Sequence, residues 1–293
     1  MREYHSTVEV LQPEEWRARA EAHRRRVEAW TAPHLARRER GETHPVEDFL
    51  FTYYGHRPAQ LRRWHPGAGV VLKGATGFGR DYLDTPEGAT LDTAALLERR
   101  GASVEWIARL LAATASRPAY LGCFGLHEWA MVYKAARVRH GAWPLRLGGE
   151  EIARVVETRG VRCSHFDAFR FFTPEARPLN VLQPARERQP ELEQPGCLHA
   201  NMDLYKWAYK LSPLVSGELV ADCFALARDI RAVDMRASPY DLGALGYRPI
   251  RIETPEGRAE YAAEQRAFAE RARPLRRRLL DACERLLAAA PRT

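Results

Sequence analysis

Apolar residues recur at intervals of three and four along most of the chain, which is the spacing of one face of a helix. This periodicity predicts helices over 13–40, 93–100, 103–116, 126–136, 150–157, Leu198–Leu211, 216–236 and 255–287, the last broken at Pro274. Short helices are also expected after Pro45 and Pro58, because proline suits the first turn of a helix. The pattern therefore predicts a mainly α protein, a single globular helical domain with a few short strands.

Two stretches depart from the helical pattern. Residues 66–90 are rich in glycine and contain the run Val70-Val71-Leu72, which predicts a loop with a hairpin. Residues 174–196 hold five prolines and are expected to form a long irregular loop, a kind of segment that is often functional. We expect one domain over residues 1–293, with a basic N-terminal helix within 1–42 packed on it, and a further short strand near Val161.

The unusual feature of the charged residues is the ratio of arginine to lysine, not the net charge. The formal charge is +7, and only four of the 45 basic residues are lysines: Lys73, Lys134, Lys206 and Lys210. An arginine excess follows from a GC-rich genome, and it also suits a surface that binds phosphate.

Length and composition exclude several classes of protein. A chain of 293 residues with 45% hydrophobic residues can bury a core without disulfides or a structural metal. The chain starts without an apolar run, and no segment approaches the ~18 apolar residues of a membrane helix, so we expect a cytoplasmic protein with no membrane partner. The five cysteines form no CxxC pair, which argues against disulfides and a structural zinc site.

Standard catalytic motifs are incomplete in this chain. Residues 74–79 (GATGFG) lack the lysine of a phosphate-binding loop and are interpreted as a turn. His127-Glu128 begins like the zinc motif HExxH, but Met131 stands where the second histidine belongs. Candidate chemistry therefore depends on polar residues at positions where apolar ones are expected.

Two carboxylates fall on apolar helix faces. Glu128 lies within the apolar arc of its predicted helix with His127 at the edge, and Asp234 projects from the apolar arc of residues 216–236. Burial raises the pKa of a carboxyl group, which suits a general acid or base. For Glu128 the alternative is a structural ion pair with an arginine of another helix. Asp234 is followed by Arg236 and is a candidate buried carboxylate with an adjacent cation.

The helix Leu198–Leu211 carries a polar stripe. His199, Asp203, Lys206 and Lys210 follow one another at i, i+4, i+7 and i+11, so half of the lysines lie on one line. The stripe is either the wall of a cleft, with Asp203 and Lys206 as acid, base or phosphate contacts, or an exposed charged face. Asn201 lies inside the apolar arc and is expected to bond a specific partner.

Two further clusters combine aromatic and polar residues. One holds Asp48, Tyr53, Tyr54, His56 and Arg57, and the other places Ser164, His165, Asp167 and Arg170 between phenylalanines. This composition suits a pocket that stacks a nucleobase, and equally an aromatic core with satisfied polar atoms.

Three segments carry a family resemblance over nearly the whole chain. Residues 44–54 (HPVEDFLFTYY), 122–130 (GCFGLHEWA) and 199–207 (HANMDLYKW) are similar to a family of actinobacterial proteins commonly labelled 3-methyladenine DNA glycosylase. The resemblance implies a DNA-repair hydrolase that binds DNA and cleaves the N-glycosidic bond of alkylated purines without a cofactor. No catalytic residue is carried over by motif, and the helix-hairpin-helix of well-understood glycosylases is absent from the sequence.

For this first hypothesis, the chemistry of the candidate residues indicates their roles. A carboxylate, Asp203 or Asp234, would stabilise the sugar cation or activate water, and Lys206 could instead attack the sugar. The candidate catalytic residues are Asp203, Lys206, Asp234, Glu128, His127 and His165. The candidate substrate-binding residues are Tyr53, His56, Arg57, Asn201, Trp207 and Arg170.

A second hypothesis is a metal-dependent helical enzyme of the non-haem iron type that acts on a small molecule. His44 with Asp48, and His199 with Asp203, are i,i+4 pairs whose side chains can reach one iron or other divalent ion. The pairs His127/Glu128 and His165/Asp167 could add ligands.

A third hypothesis is a binding module that uses the arginine-rich helix 13–40 as its contact face. Convergence of Glu128, His165, Asp203 and Asp234 within ~10 Å in a concave site would favour an enzyme, and their scatter over separate surfaces would favour a module.

Overall fold

Helices dominate the part of the chain that the structure, a computed structural model, describes: residues 8–138 and 141–289. The helices are α1 (Pro13–Glu39), α2 (Phe49–Tyr53), α3 (Pro58–Arg62), α4 (Thr93–Ala115), α5 (Leu126–Ala130), α6 (Gly149–Arg159), α7 (Phe166–Phe169), α8 (Gln189–Leu192), α9 (Leu198–Leu211), α10 (Gly217–Ala237) and α11 (Pro255–Ala289). The mainly α prediction is confirmed.

The predicted hairpin belongs to a small sheet. Its strands are β1 (Glu9–Leu11), β2 (Val70–Lys73), β3 (Tyr82–Thr85) and β4 (Gly88–Leu91), in the order β1-β2-β4-β3. β1 runs parallel to β2 with Val10 opposite Val71, whereas β4 pairs antiparallel with both β2 and β3. Near Val161 the structure forms only an isolated bridge to Asn180.

Helix α9 occupies the centre of the core. Of its residues only Lys206, Tyr209 and Lys210 are not buried, because α10 and α11 pack against it. Its buried set includes the polar side chains His199, Asn201 and Asp203. Among the described residues, no helix has the length and apolar character needed to cross a membrane.

Three predicted helix boundaries are wrong. α4 is one continuous helix through Gly101, and α11 continues through Pro274. α5 ends at Ala130, six residues before the predicted end at 136. The chain turns after α5, and Lys134 takes a left-handed conformation with φ 49°.

The proline-rich segment 174–196 is irregular, as predicted, but much of it is packed. It contains a 3-10 turn at Arg177–Leu179 and the short helix α8, which contacts α4. Gln189 and Glu193 are each only 2% exposed, so the end of this loop reaches the interior.

Candidate functional site

The candidate catalytic side chains meet in one buried network. They come from α5, the start of α7, α9 and α10, and they are His127, Glu128, His165, Asp203, Lys206 and Asp234. All but Lys206 are at most 5% exposed. Glu128, His165, Asp203 and Asp234 therefore do not scatter over separate surfaces.

One half of the network joins α5 to α10. His127 Nε2 lies 2.6 Å from Asp234 Oδ1. Arg231 Nη1 donates to Asp234 Oδ2 at 3.1 Å and to Glu128 Oε1 at 3.0 Å, with only 1% of its side chain exposed. Glu128 therefore does have an arginine partner from another helix, whereas Asp234 pairs with Arg231 and His127 while Arg236 binds Glu260 instead.

A strained turn precedes the helix that presents His127 and Glu128. Phe124 has φ 46° and Gly125 has φ 71°, both in the left-handed region. A bulky residue rarely adopts this conformation, and such strain is concentrated at functional sites. At Gly125 a Cβ would lie 3.2 Å from the ring of Tyr261, so the chain also passes close to α11 here.

The other half of the network is built around Asp203. His165 Nε2 lies 3.2 Å from Asp203 Oδ2 and 3.4 Å from Glu193 Oε1. The Tyr54 hydroxyl donates to Asp203 Oδ1 at 2.7 Å. Lys206 Nζ donates to Asp203 Oδ2 at 3.3 Å and to Asp167 Oδ2 at 2.6 Å. The polar stripe of α9 is therefore a buried wall over most of its length, and only Lys210 at its end is exposed.

His199 lies between the two halves. Its ring centroid is 4.3 Å from that of His127 and 5.4 Å from that of His165. Among the described residues, no group hydrogen-bonds a ring nitrogen of His199, although the residue is only 9% exposed. Burial, together with the charge of His127, holds the pKa of His199 well below its usual range. Its ring is therefore neutral at pH 7, with a lone pair available.

In the two carboxylates and the other two histidines of the network, ion pairing outweighs the effect of burial on the pKa. Burial disfavours ionisation, but the attraction of His127 holds the pKa of the Asp234 carboxyl well below its usual range. Likewise, the pKa of the Asp203 carboxyl is lowered against the effect of burial, by Lys206 and His165. The same pairings raise the pKa values of His127 and His165 in spite of their burial.

The pKa values of Glu193 and Lys206 are both raised, for different reasons. Burial raises the pKa of the Glu193 carboxyl, and the nearby His165 offsets this only partly. The neighbouring Asp203 and Asp167 raise the pKa of Lys206 against the effect of burial, so this amine stays cationic.

Two sets of side chains have the composition and closeness of metal ligands. Potential donor atoms of His127, His199 and Asp234 lie within 4.8 Å of one another, and so do those of a second set. The second set consists of His165, Glu193 and Asp203. Metal–nitrogen and metal–oxygen bonds of ~2.0–2.2 Å put neighbouring ligand atoms about 3.0–3.4 Å apart, so the side chains of either set would need to close slightly around an ion.

Small cavities lie on both sides of His199. One of about 10 Å³ is lined by His127, His199 and the cysteines Cys123, Cys163 and Cys197. Burial raises the pKa of the Cys163 thiol to about 12, so it is protonated at pH 7.

The other cavity, of about 20 Å³, is lined by His199, Glu128 and Asp167 together with aromatic and apolar side chains: Phe49, Tyr53, Met131, Ala168 and Phe171. A volume of ~10–15 Å³ holds one water molecule. Both cavities therefore suit a water molecule or an ion.

The candidate substrate-binding residues divide between several places. Tyr53 lines the cavity beside Glu128, and Arg170 lies next to it, paired with Asp167 at 3.3 Å. Asn201 has the specific partners predicted for it, the Pro195 carbonyl at 3.0 Å and the Arg276 guanidinium.

The remaining candidates form no hydrogen bond or ion pair with the network among the described residues, although the Trp207 ring centroid lies 4.7 Å from Lys206 Nζ. Trp207 packs on Trp106 with ring centroids 5.2 Å apart. His56 binds the Tyr205 hydroxyl and lines a separate surface cleft, whereas Arg57 precedes α3.

The i,i+4 pairs do not form metal sites as predicted. Asp48 binds His34, Arg37 and the backbone N–H of His44, and neither His44 nor Asp48 belongs to a potential ligand set among the described residues. His199 and Asp203 belong to different sets. Each set combines side chains from separate segments of the chain, not neighbours along one helix.

Sequence reasoning missed three members of the network. Arg231 lies three residues before Asp234 on the apolar arc of α10, and that position was a signal of burial. Tyr54 belongs to the aromatic and polar cluster at 48–57, but the sequence does not indicate its bond to Asp203, which is 149 residues away. Glu193 lies in the proline-rich loop, where no periodicity identifies a buried position.

Comparison with known proteins adds no relative: no family model, curated protein or solved structure matches this chain.

Proposed function

We propose that the protein is a metal-dependent enzyme in which His127, His199 and Asp234 bind one divalent ion. The observation that carries this proposal is His199: a buried, neutral imidazole with no hydrogen-bond partner among the described residues, inside a set of potential ligands. His199 lines two small cavities, so a bound ion could reach its lone pair from there.

The charge of the network supports a cation. Around the first set, the two buried carboxylates Glu128 and Asp234 share Arg231, which is the one arginine or lysine within 4.0 Å of either among the described residues. Buried charge needs compensation, and without an ion the histidines must take up protons to provide it.

The ligand types favour iron. Two imidazoles and one carboxylate form the facial set typical of non-haem iron(II) oxygenases, which leaves positions open for substrate. Cys123, Cys163 and Cys197 lie near but belong to no potential ligand set among the described residues. When bound, such an ion supplies redox or Lewis-acid chemistry at its open positions.

The second set is better suited to a supporting role. Asp203 already accepts bonds from Tyr54, Lys206 and the His165 ring. These contacts fix α9, and thereby His199, relative to α7. Asp234 is bound in the same way by His127 and Arg231, so the difference between the sets is His199, and we assign the ion to the first set because it contains this imidazole.

The cavity beside Glu128 indicates the kind of substrate. Its walls include the rings of Phe49, Tyr53 and Phe171, and Glu128, which is held by Arg231, lines it together with His199. A small, mostly apolar molecule fits these walls, with Glu128 placed to accept or return a proton. Such a molecule needs more than about 20 Å³, so side chains such as Met131 must move to admit it.

Metal analysis of protein purified without chelator and reconstituted anaerobically with Fe(II) tests the proposal. We expect about one ion per chain, bound through His199 and Asp234, and its loss in His199→Ala and Asp234→Asn. His34→Ala, which removes a buried histidine outside the network, is the matched control and should keep the ion. A wild-type chain that binds no ion, or variants that all bind alike, would contradict the proposal.

Base excision stays a prediction and ranks second. Room for one water molecule is too little for an extruded purine, and Lys206 is held cationic although attack on a sugar needs a neutral amine. Incubation with methylated duplex DNA, next to a known glycosylase as positive control, tests it. Release of free base by wild type but not by Asp203→Asn would favour base excision over the metal-dependent reaction.

A further inference from the structure

A surface cleft of about 630 Å³ lies apart from the cluster of His127, His165 and His199, none of which lines it. It lies between the C-terminal end of α9, the segment before α3 and the start of β3. A volume of ~300–1,000 Å³ is typical of sites for small molecules.

The cleft is strongly cationic. Arg63, Arg80, Arg100 and Lys210 line it, against the single carboxylate Asp81. Asp81 is already engaged by Arg99 at 3.1 Å and by Arg80 at 3.7 Å. The lining therefore has an excess of positive charge.

Most of this charge has no carboxylate partner. Arg100 donates to the backbone carbonyls of Lys210 and Ser212, and Arg63 donates to that of Phe78. Among the described residues, no carboxylate lies within 4.0 Å of Arg63, Arg100 or Lys210. Arg100 is half-buried, whereas Arg63, Arg80 and Lys210 are exposed at the rim of the cleft. Cations without a carboxylate partner favour an anion, and phosphate matches the geometry of a guanidinium group best.

Aromatic rings line the same cleft. The Tyr209 ring stacks on His56, with centroids 4.8 Å apart and planes 4° apart. The Tyr82 ring stacks on His65, with centroids 6.0 Å apart and planes 12° apart. Burial lowers the pKa of both histidines to about 4, so these ring pairs are neutral at pH 7 and suit a flat, uncharged ring system.

We propose that this cleft binds a phosphate ester that carries a planar ring, the chemistry of a mononucleotide. The cations hold the phosphate, and the tyrosine–histidine pairs contact the ring. The GATGFG segment is not its phosphate loop, because the N–H of Gly77 is already bound to the Asp84 carboxylate.

The cleft is a second site and does not depend on the proposed metal. Lys210 lies eleven residues after His199 on α9, and at ~1.5 Å per residue this puts the two about 16 Å apart along the helix. Tyr205 and Tyr54 pack between the cleft residue Tyr209 and Asp203.

Calorimetric titration with AMP, adenosine and inorganic phosphate tests the proposal on the full chain. We expect saturable binding of AMP, and binding at least about tenfold weaker for adenosine and for phosphate, since each lacks one of the two contacts. The double variant Arg80→Ala/Lys210→Ala should weaken AMP binding about tenfold or more. Both side chains are exposed, so the fold should tolerate the change.

The control is Arg109→Ala/Arg266→Ala, which removes the same charge from exposed positions on α4 and α11 and should bind AMP as wild type does. His199→Ala should also bind AMP normally, which separates this test from that of the metal site. Absence of saturable AMP binding at millimolar concentration would overturn the proposal. So would equal weakening in both double variants, or binding of single-stranded DNA without binding of AMP.

Discussion

Lys206 lies between two buried carboxylates, Asp167 and Asp203, at 2.6 and 3.3 Å. Removal of one partner from a buried ion pair leaves an uncompensated charge and costs ~3–5 kcal/mol. We expect Lys206→Met to lower the free energy of unfolding by about 3 kcal/mol at pH 7, and Lys206→Arg to lose much less. Urea denaturation of both variants gives the comparison. Equal stability of Lys206→Met and wild type would show that the stripe of α9 is only a charged face.

Burial of His56 should make the free energy of unfolding fall as the pH is lowered. Burial lowers its pKa from 6.5 to about 4. The unfolded chain therefore takes up a proton below pH 6.5 while the folded chain does not, so stability is present above that pH and lost as the pH falls towards 4.

His56→Gln cannot take up this proton and should lose about 3 kcal/mol less stability than wild type between pH 7 and 4, as an upper bound. Unfolding free energies from urea titrations at several pH values measure the difference. His65 has a similarly lowered pKa and remains in the variant, so part of the acid sensitivity should persist. Parallel pH profiles for the two proteins would contradict the explanation.

Single residues were predictable where periodicity reveals a face. Glu128 and Asp234 stand out as polar residues on apolar arcs, and both are buried. Glu193 was not predictable, because a loop has no period. Nor was the bond between Tyr54 and Asp203, because that pairing exists only once distant segments have packed.

Two helical glycines differ in what surrounds them. At Gly257, in the first turn of α11, a Cβ would lie 1.9 Å from the carbonyl oxygen of Arg251. At Gly101, inside α4, a Cβ would meet nothing within 4 Å.

Gly101→Ala should therefore stabilise the protein by ~0.5–1 kcal/mol, since alanine suits a helix interior better than glycine. Gly257→Ala should destabilise it by more than about 1 kcal/mol, because backbone must move. Thermal unfolding followed by circular dichroism measures both. A shift in the same direction for the two variants would contradict the assigned packing.

Helices with clear start and stop signals were predicted well. α9 spans the predicted residues, and α10 begins where the Ser216 side chain accepts the Leu219 N–H. α11 was predicted to break at Pro274, since an interior proline costs ~3 kcal/mol. Buried positions on both sides of it, Ala272 and Arg276, show that packing outweighs this cost.

The arginine excess of the whole molecule has a structural use. Arg19 and Arg26 of α1 bind Glu218 and Asp222 of α10, and Arg271 of α11 binds Asp229. Exposed pairs of this kind contribute ~0–1 kcal/mol each, so they orient helices more than they stabilise them. Composition alone could not separate these paired arginines from the uncompensated ones in the cleft, because pairing depends on the fold.

Removal of the proposed ion should destabilise the whole molecule. An ion present at 100 times its dissociation constant adds ~2.7 kcal/mol to the stability of the folded chain. We expect a chelator to lower the Tm of wild-type protein and to leave that of His199→Ala unchanged.

Binding should also weaken as the pH falls, because Asp234 overcomes the effect of burial and raises the pKa of His127, whose proton the ion must displace. Thermal scans with and without chelator at pH 6 and pH 8 check both effects. A Tm that does not respond to chelator at either pH would contradict them.

The most direct measurement is an anomalous difference map from crystals of the chain reconstituted with Fe(II). The proposed function predicts a single strong peak about 2.0–2.3 Å from the ring nitrogens of His127 and His199 and from an oxygen of Asp234. A map with no peak there, or with the ion only at surface residues, would contradict a metal-dependent enzyme built on this histidine cluster.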